Sequence, residues 1–172
     1  MLTWMRRSSA TGQRAAKLYG SAVAQARSPA FYEGCGVPDT IEGRFELIVL
    51  HLFIVLERLR AEGEEGRQLG QALLEAFVSD MDDSMRELGI GDLSVPRRIK
   101  KTAAAVAERV EDYRSAVAGQ DRQALVEALG RHVSLQPAGA VRLAGYVRAI
   151  LQTLASAGGA RILAGEIEFP SV

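Results

Sequence analysis

The sequence predicts an all-α, single-domain bundle of about six helices, and three observations carry that prediction. Apolar residues recur at spacings of three and four through most of the chain. Glycine and proline interrupt the pattern around 29–38, 63–66, 89–96, 119 and 137–139, dividing it into helix-length stretches. Alternation with period two is too scarce to build a sheet. With 172 residues, 48% of them hydrophobic, there is material for one real core and little for two.

The first stretch, 13–27, is rich in small residues (Ala15, Ala16, Tyr19, Val23, Ala26). Pro29, Gly34, Gly36 and Pro38 then enclose an aromatic turn at Phe31 and Tyr32. The stretch 41–61 is apolar on every side, which marks a central helix covered by its neighbours. Asp39 or Thr40 is placed to cap it, and Glu42 and Glu46 suit its positive end. A helix over 67–88 carries Leu69, Leu73, Phe77, Met81 (or Ala76), Met85 and Leu88 on one stripe, with Gly89 after its end. Pro96 opens the next, over 96–118, whose inner stripe is Ile99, Ala103, Val106, Val110, Tyr113 and Val117. Asp121 caps a short helix with Leu125, Leu129 and Val133 inward. A last helix over 139–157 turns Leu143, Val147, Ile150 and Leu154 inward. The tail 162–169, after Gly158 and Gly159, is expected to be extended and to lie on the body. The domain is thus predicted over 15–172, preceded by a basic segment over 1–14.

Composition narrows the functional classes. Lys+Arg and Asp+Glu both total 21, so no global field draws the chain to nucleic acid, and DNA is not an expected partner. The first acid is Glu33, after five bases (Arg6, Arg7, Arg14, Lys17, Arg27), a bias shared by mitochondrial transit peptides and by basic helices at anionic surfaces. The single cysteine, Cys35, excludes an internal disulfide. The most apolar run, Phe45 to Leu56, falls well short of the roughly 20 residues that span a bilayer, and charges flank it. A soluble protein without a membrane span is expected.

The most specified stretch is Asp80 to Lys101, DMDDSMRELGIGDLSVPRRIKK. Carboxylates Asp80, Asp82 and Asp83, with Arg86, end one helix; Asp92 lies in the turn; Arg97, Arg98, Lys100 and Lys101 begin the next helix. Acids at a helix C-terminus and bases at an N-terminus both oppose the macrodipole, which points to contacts with each other, with a partner or with an anionic membrane. An EF-hand starting at Asp80 would need Gly and Glu where Met85 and Gly91 stand, so that motif fails. A Mg²⁺–diphosphate site on Asp80–Asp83 is the one enzymatic alternative, a helical enzyme acting on a prenyl diphosphate or quinone-like lipid, although a second aspartate motif is lacking. His51 and His132 have no second ligand at helical spacing and are expected at core or boundary positions. Cys35 is expected to be a small turn residue. Phe31 and Tyr32 either pack on the core or form an exposed patch for a hydrophobic partner. No phosphate loop, dinucleotide fingerprint or catalytic triad order is present, and no metal or other cofactor is expected.

The segments ARSPAFYEGCGVPDTIEGRFELIVLHLFIVLERL, DMDDSMRELGIGDLSVPRRIKK and EIEFP, in that order and spacing, resemble the ubiquinol–cytochrome c chaperone family. The resemblance begins near Lys17 and covers nearly all of the chain after it. It implies an all-helical, non-catalytic assembly factor for respiratory ubiquinol–cytochrome c reductase, which holds apo- or partly haem-loaded cytochrome b. It further implies a small partner chaperone, the ribosome and an anionic inner-membrane surface as contacts. The expected location is cytoplasmic, peripheral to the inner membrane, or the mitochondrial matrix in a eukaryote. The resemblance transfers no catalytic residue. The docking candidates are those read from the residues: Asp80, Asp82, Asp83, Arg86, Asp92, Arg97, Arg98, Lys100, Lys101, Phe31 and Tyr32.

Overall fold

The computed structural model describes residues 10–87, 94–119 and 121–171. Among these residues the chain forms eight helices and no strand: α1 (Ala10–Ala26), α2 (Pro29–Glu33), α3 (Ile41–Arg60), α4 (Gly63–Glu87), α5 (Val95–Ala118), α6 (Arg122–Val133), α7 (Pro137–Ser156) and α8 (Gly159–Leu163). The all-α bundle is therefore as the periodicity predicts. The two additional helices are single turns. Pro29 opens one at a first-turn position, and the helix-forming run after Gly159 makes the other, burying Ile162.

α3 is the axis of the bundle. Leu47, Val49, Leu50, Leu52, Phe53, Ile54 and Val55 are sealed from solvent, and α1, α4, α5, α6 and α7 all pack on it. Thr40 is the cap, its Oγ1 accepting from the Gly43 amide at 3.1 Å, whereas Asp39 pairs with Arg44 at 2.7 Å. Asp121 caps α6 as expected, accepting from the Gln123 amide at 2.8 Å. α7 starts at Pro137 rather than at 139, because a first-turn proline gives up an amide that has no helical partner. On α1 the buried stripe is Ala15, Leu18, Ala22 and Ala26, and Ala16 is exposed. Arg14 lies within α1, paired with Glu65 at 2.8 Å and donating to the Leu163 carbonyl at 2.8 Å.

α4 begins four residues before the predicted start, at Gly63. Glu64 and Glu65 favour its positive end, and Gly66, predicted to break the chain, lies inside the helix. The reason is contact: a Cβ at Gly66 would lie 2.0 Å from the Leu59 carbonyl oxygen. Only glycine lets α4 cross the end of α3 so closely.

Three polar side chains are buried on α3, and each has a partner on another element. Glu46 is clamped by Arg109 of α5, whose Nε donates to its oxygens at 2.9 and 2.8 Å. Arg58 donates from Nε to the Leu154 carbonyl at 2.8 Å and from Nη2 to the Ala157 carbonyl at 3.0 Å, closing the C-terminal end of α7, and its Nη1 pairs with Glu62. His51 is fully buried, with Nδ1 2.7 Å from the Leu47 carbonyl and Nε2 2.9 Å from Tyr146 Oη. A carbonyl can only accept, so Nδ1 carries the proton and Nε2 accepts from Tyr146. Gln25 Nε2 donates both to Tyr146 Oη at 3.2 Å and to the Pro170 carbonyl at 3.1 Å. The Phe169 ring stands 5.4 Å from His51. The predicted extended tail thus lies on the body from 164 onward, tied to this string.

Burial holds His51 neutral, lowering its pKa from 6.5 to about 4 against the opposing pull of the Leu47 carbonyl. The unfolded chain takes up that proton first. Stability is therefore full above pH 6.5 and is lost as pH falls toward 4, by on the order of 3 kcal/mol. Denaturation of the wild type between pH 7 and 4, compared with His51→Gln, should show a proton uptake on unfolding that the variant lacks. Gly66→Ala should cost on the order of 2–4 kcal/mol because the contact is with backbone. Gly145→Ala, exposed in mid-α7 where an added methyl would meet nothing within 4 Å, should gain up to about 1 kcal/mol in the same melts.

Candidate functional site: an apolar groove between α4 and α5

The predicted docking residues fall in three places. Asp80 accepts a hydrogen bond from Tyr19 Oη of α1 at 2.7 Å; burial, then that bond, push the Tyr19 hydroxyl well above its ordinary pKa. Asp82, two residues on, accepts from Arg86 Nε at 2.7 Å on another side of α4. The carboxylates thus diverge around the helix instead of converging on a common point, and Asp83 is exposed. Arg97, Arg98, Lys100 and Lys101 are carried on the first turns of α5, and all four are exposed. Asp92, Gly89 and the rest of 88–93 lie outside the described residues.

Phe31 and Tyr32 do not form an exposed patch. The Phe31 ring is fully buried, 5.2 Å from His51 and 5.0 Å from Tyr146 in edge-on contacts. Tyr32 is half-buried and donates to the Ala26 carbonyl at 3.2 Å. The turn 29–33 packs inward because its aromatic side chain fills the space between α3 and α7. Cys35 is buried too, and burial pushes its thiol up, away from a reactive thiolate. His132 pairs with Asp112 at 2.8 Å, joining α6 to α5.

What the periodicity does not foretell is an open apolar groove of about 660 Å³ between α4 and α5, with α3 as its floor. Leu56 and Leu59 form the floor, Leu74 and Val78 the α4 wall, and Ala103 and Ala107 the α5 wall. Several of these side chains are only half-buried, and Ala107 is exposed. A second crease of about 410 Å³ continues the groove along Leu74 and Val78 to Asp82 and Ile99. The groove is held open by anchors at one end. Arg109–Glu46, Arg114–Glu57 at 3.1 Å and the Phe53–Tyr113 rings at 5.6 Å fix α5 to α3. Small residues on the facing walls, Gly70 and Ala103, keep the helices' own side chains from filling the space. That stripe of small residues is the signal by which the sequence could have shown it.

The groove has two electrostatic ends. Near its anchored end the arginines are matched in place: Arg60 with Glu57 at 3.2 Å, Arg67 with Glu64, and Arg114 with Glu111 at 2.7 Å. Toward the other end the α4 wall is acidic and the first turns of α5 are basic. Chemically, the site offers apolar surface and charge. Among the described residues no three His, Cys, Asp or Glu side chains gather in a way that could hold a metal ion.

A family model for the ubiquinol–cytochrome C chaperone matches residues 33–169. The chain belongs to the ubiquinol–cytochrome c chaperone family. The crystal structure of the Cbp3 homolog from Brucella abortus superposes with a TM-score of 0.85 at 36% identity, covering 98% of this chain and 94% of that one. Ubiquinol-cytochrome c reductase complex assembly factor 1 of Homo sapiens is 25% identical over 166 residues, 90% of this chain and 53% of the relative. The Xenopus laevis protein of that name is 24% identical over 119 residues, 69% of this chain and 59% of the relative. The chain thus spans little more than half the length of these curated relatives. The match to the chaperone family takes in α3, α4 and α5 entirely, and with them every wall of the groove.

Proposed function

We propose that this chain is a non-catalytic assembly chaperone for ubiquinol–cytochrome c reductase, binding newly made cytochrome b, apo or partly haem-loaded, until it joins the other subunits. The observation that carries this reading is the open apolar groove in a chain of this family: about 660 Å³ of half-covered apolar surface that the fold itself leaves without a lid. A protein that releases its client needs such a surface, accessible in the folded state and bordered by charge that keeps it from collapsing on itself. The diverging carboxylates of α4 suit an interaction surface better than a shared Mg²⁺–diphosphate site.

No helix of the described residues is long and apolar enough to cross a membrane. The chaperone meets its client at the cytoplasmic membrane face, with Arg97, Arg98, Lys100 and Lys101 toward anionic headgroups, each base contributing about 1 kcal/mol near such a surface. Asp80, Asp82, Asp83 and Arg86, carried by the last turns of α4, complete the partner surface in this reading, and Asp92 is a further candidate that the sequence alone supplies. A small partner chaperone and the ribosome are further contacts that the family resemblance supports.

Two experiments test the reading. Val78→Glu with Ala107→Glu places charge on both groove walls, at one half-buried position packed against the core and one exposed position; assembled reductase in cells should drop severalfold while circular dichroism shows the purified variant still folded. A photo-crosslinker at Leu74 should capture newly made cytochrome b; full assembly with the double variant, or crosslinks that never include cytochrome b, defeats the proposal. Separately, changing Arg97, Arg98, Lys100 and Lys101 to Gln should leave the fold intact or slightly steadier, since bases at a helix start oppose its dipole. Flotation with anionic vesicles should weaken, most visibly at low salt where charges are least screened; undiminished flotation would remove these bases from the membrane contact.

A further inference from the structure

The shape and charge of the groove say more about its occupant than that it is apolar. Three helices, α3 beneath and α4 and α5 at the sides, make the floor and walls of a bundle whose fourth position is empty. The lining from Arg67 to Asp82 runs roughly 24 Å at the helical rise of about 1.5 Å per residue, the length of about four turns. Gly70, Ala103 and Ala107 leave room for a helix to settle between the walls, as in helix-in-groove recognition.

Such a groove covers the inner face of a guest helix and leaves its outer face in water. A segment apolar on all sides, built to lie in lipid, would keep half its surface exposed there. A guest with one apolar stripe and a polar back would not. The walls also differ in sign at the end near Asp82. From Glu75 to Glu87, α4 carries five carboxylates and one arginine, with Glu75 and Asp82 lining the crease. From Val95 to Lys101, α5 carries four bases and no acid, beside Ile99 of the same crease. At the anchored end each arginine of the lining already has a glutamate. At the other end Asp82 holds Arg86, but five carboxylates against one arginine leave α4 an excess of four negative charges facing the four bases of α5, so the preference is concentrated at that end and is opposite on the two flanks.

We infer that the groove takes a single amphipathic α-helix of about four turns, apolar stripe inward, with basic residues on its α4-facing flank and acidic residues on its α5-facing flank at the end near Asp82. This deepens the proposed function and rests on it: the segment of the client that is held is an amphipathic helix rather than a membrane span.

The test uses the full chain and two synthetic helical peptides of identical composition, each with a Leu/Ala stripe. One carries Lys on the α4-facing flank and Glu on the α5-facing flank at the end near Asp82; its twin has the two exchanged. In fluorescence anisotropy at low salt the matched peptide should bind several-fold tighter, and the difference should vanish at high salt. Glu75→Lys with Asp82→Lys removes the acidic excess of the α4 flank and leaves the α5 flank basic, so it should shrink the preference, with circular dichroism confirming the fold. Equal binding of the twins, failure of both to bind, or tighter binding of an all-Leu helix of the same length overturns the inference. So does a light-scattering mass showing that the free protein is a dimer whose groove is filled by a second copy. The two readings fail separately. Crosslinks from Leu74 to cytochrome b without peptide discrimination would refute the amphipathic guest alone. Discrimination between the peptides without cytochrome b crosslinks would refute the client and leave the groove a docking site for another helix.

Discussion

A helix that is apolar on every side has no amphipathic face to fix its rotation, and α3 is such a helix. Hydrophobic burial alone would accept it at several rotations and heights. Glu46, His51 and Arg58 remove that freedom, because each is buried and each has a partner on a different element or at a different height. A rotation of α3 would leave a carboxylate, an imidazole or a guanidinium unpaired in the core, at a cost of several kcal/mol for each charge. The three contacts thereby set where α5, α7 and the C-terminal tail sit, and the floor of the groove inherits its position from them.

The groove follows from what those anchors leave undone. α5 is tied to α3 along its later turns, at Arg109, Tyr113 and Arg114, whereas its first turns carry exposed bases. α4 is committed on its other side to α1, through the Tyr19 hydroxyl on Asp80 and the Tyr19 and Phe77 rings 6.4 Å apart. Each wall is thus held from behind, and the facing surfaces are too small, at Gly70 and Ala103, to close the gap. Charges that disfavour their own helix ends gather at the end away from those ties. Local stability and the observed pattern disagree at that end, which is where a functional constraint is expected to override them.

How far the residues foretell this differs from element to element. The stripes of α4, α5 and α7 are legible because Leu73, Val106 and Val147 recur at helical spacing, and they are buried as that spacing requires. Gly66 is misjudged from sequence because glycine as a helix breaker and glycine as a point of close approach look the same until Leu59 is seen beside it. Glu46 and Arg58 look like solvated flanking charges. Their burial depends on Arg109 and on the α7 carbonyls, which lie far along the chain. Phe31 shares this ambiguity, since an aromatic in a turn can face in or out, and only the space between His51 and Tyr146 decides. The groove is least legible of all, being a channel that two contacting helices leave above a third.

That division has a consequence for function. Polar groups converge around His51 in the sealed core, where they hold the scaffold, and a partly exposed set, Asp112 with His132 and Arg131, ties α6 to α5. The groove instead combines an apolar floor with separated charges of both signs, which can align a large, extended guest. Buried polar convergence and exposed apolar breadth are thus assigned to opposite roles, the first holding the scaffold in one geometry and the second presenting a surface that another chain must complete. On physical grounds that distribution is what a binding scaffold requires, and it accords with a family of chaperones.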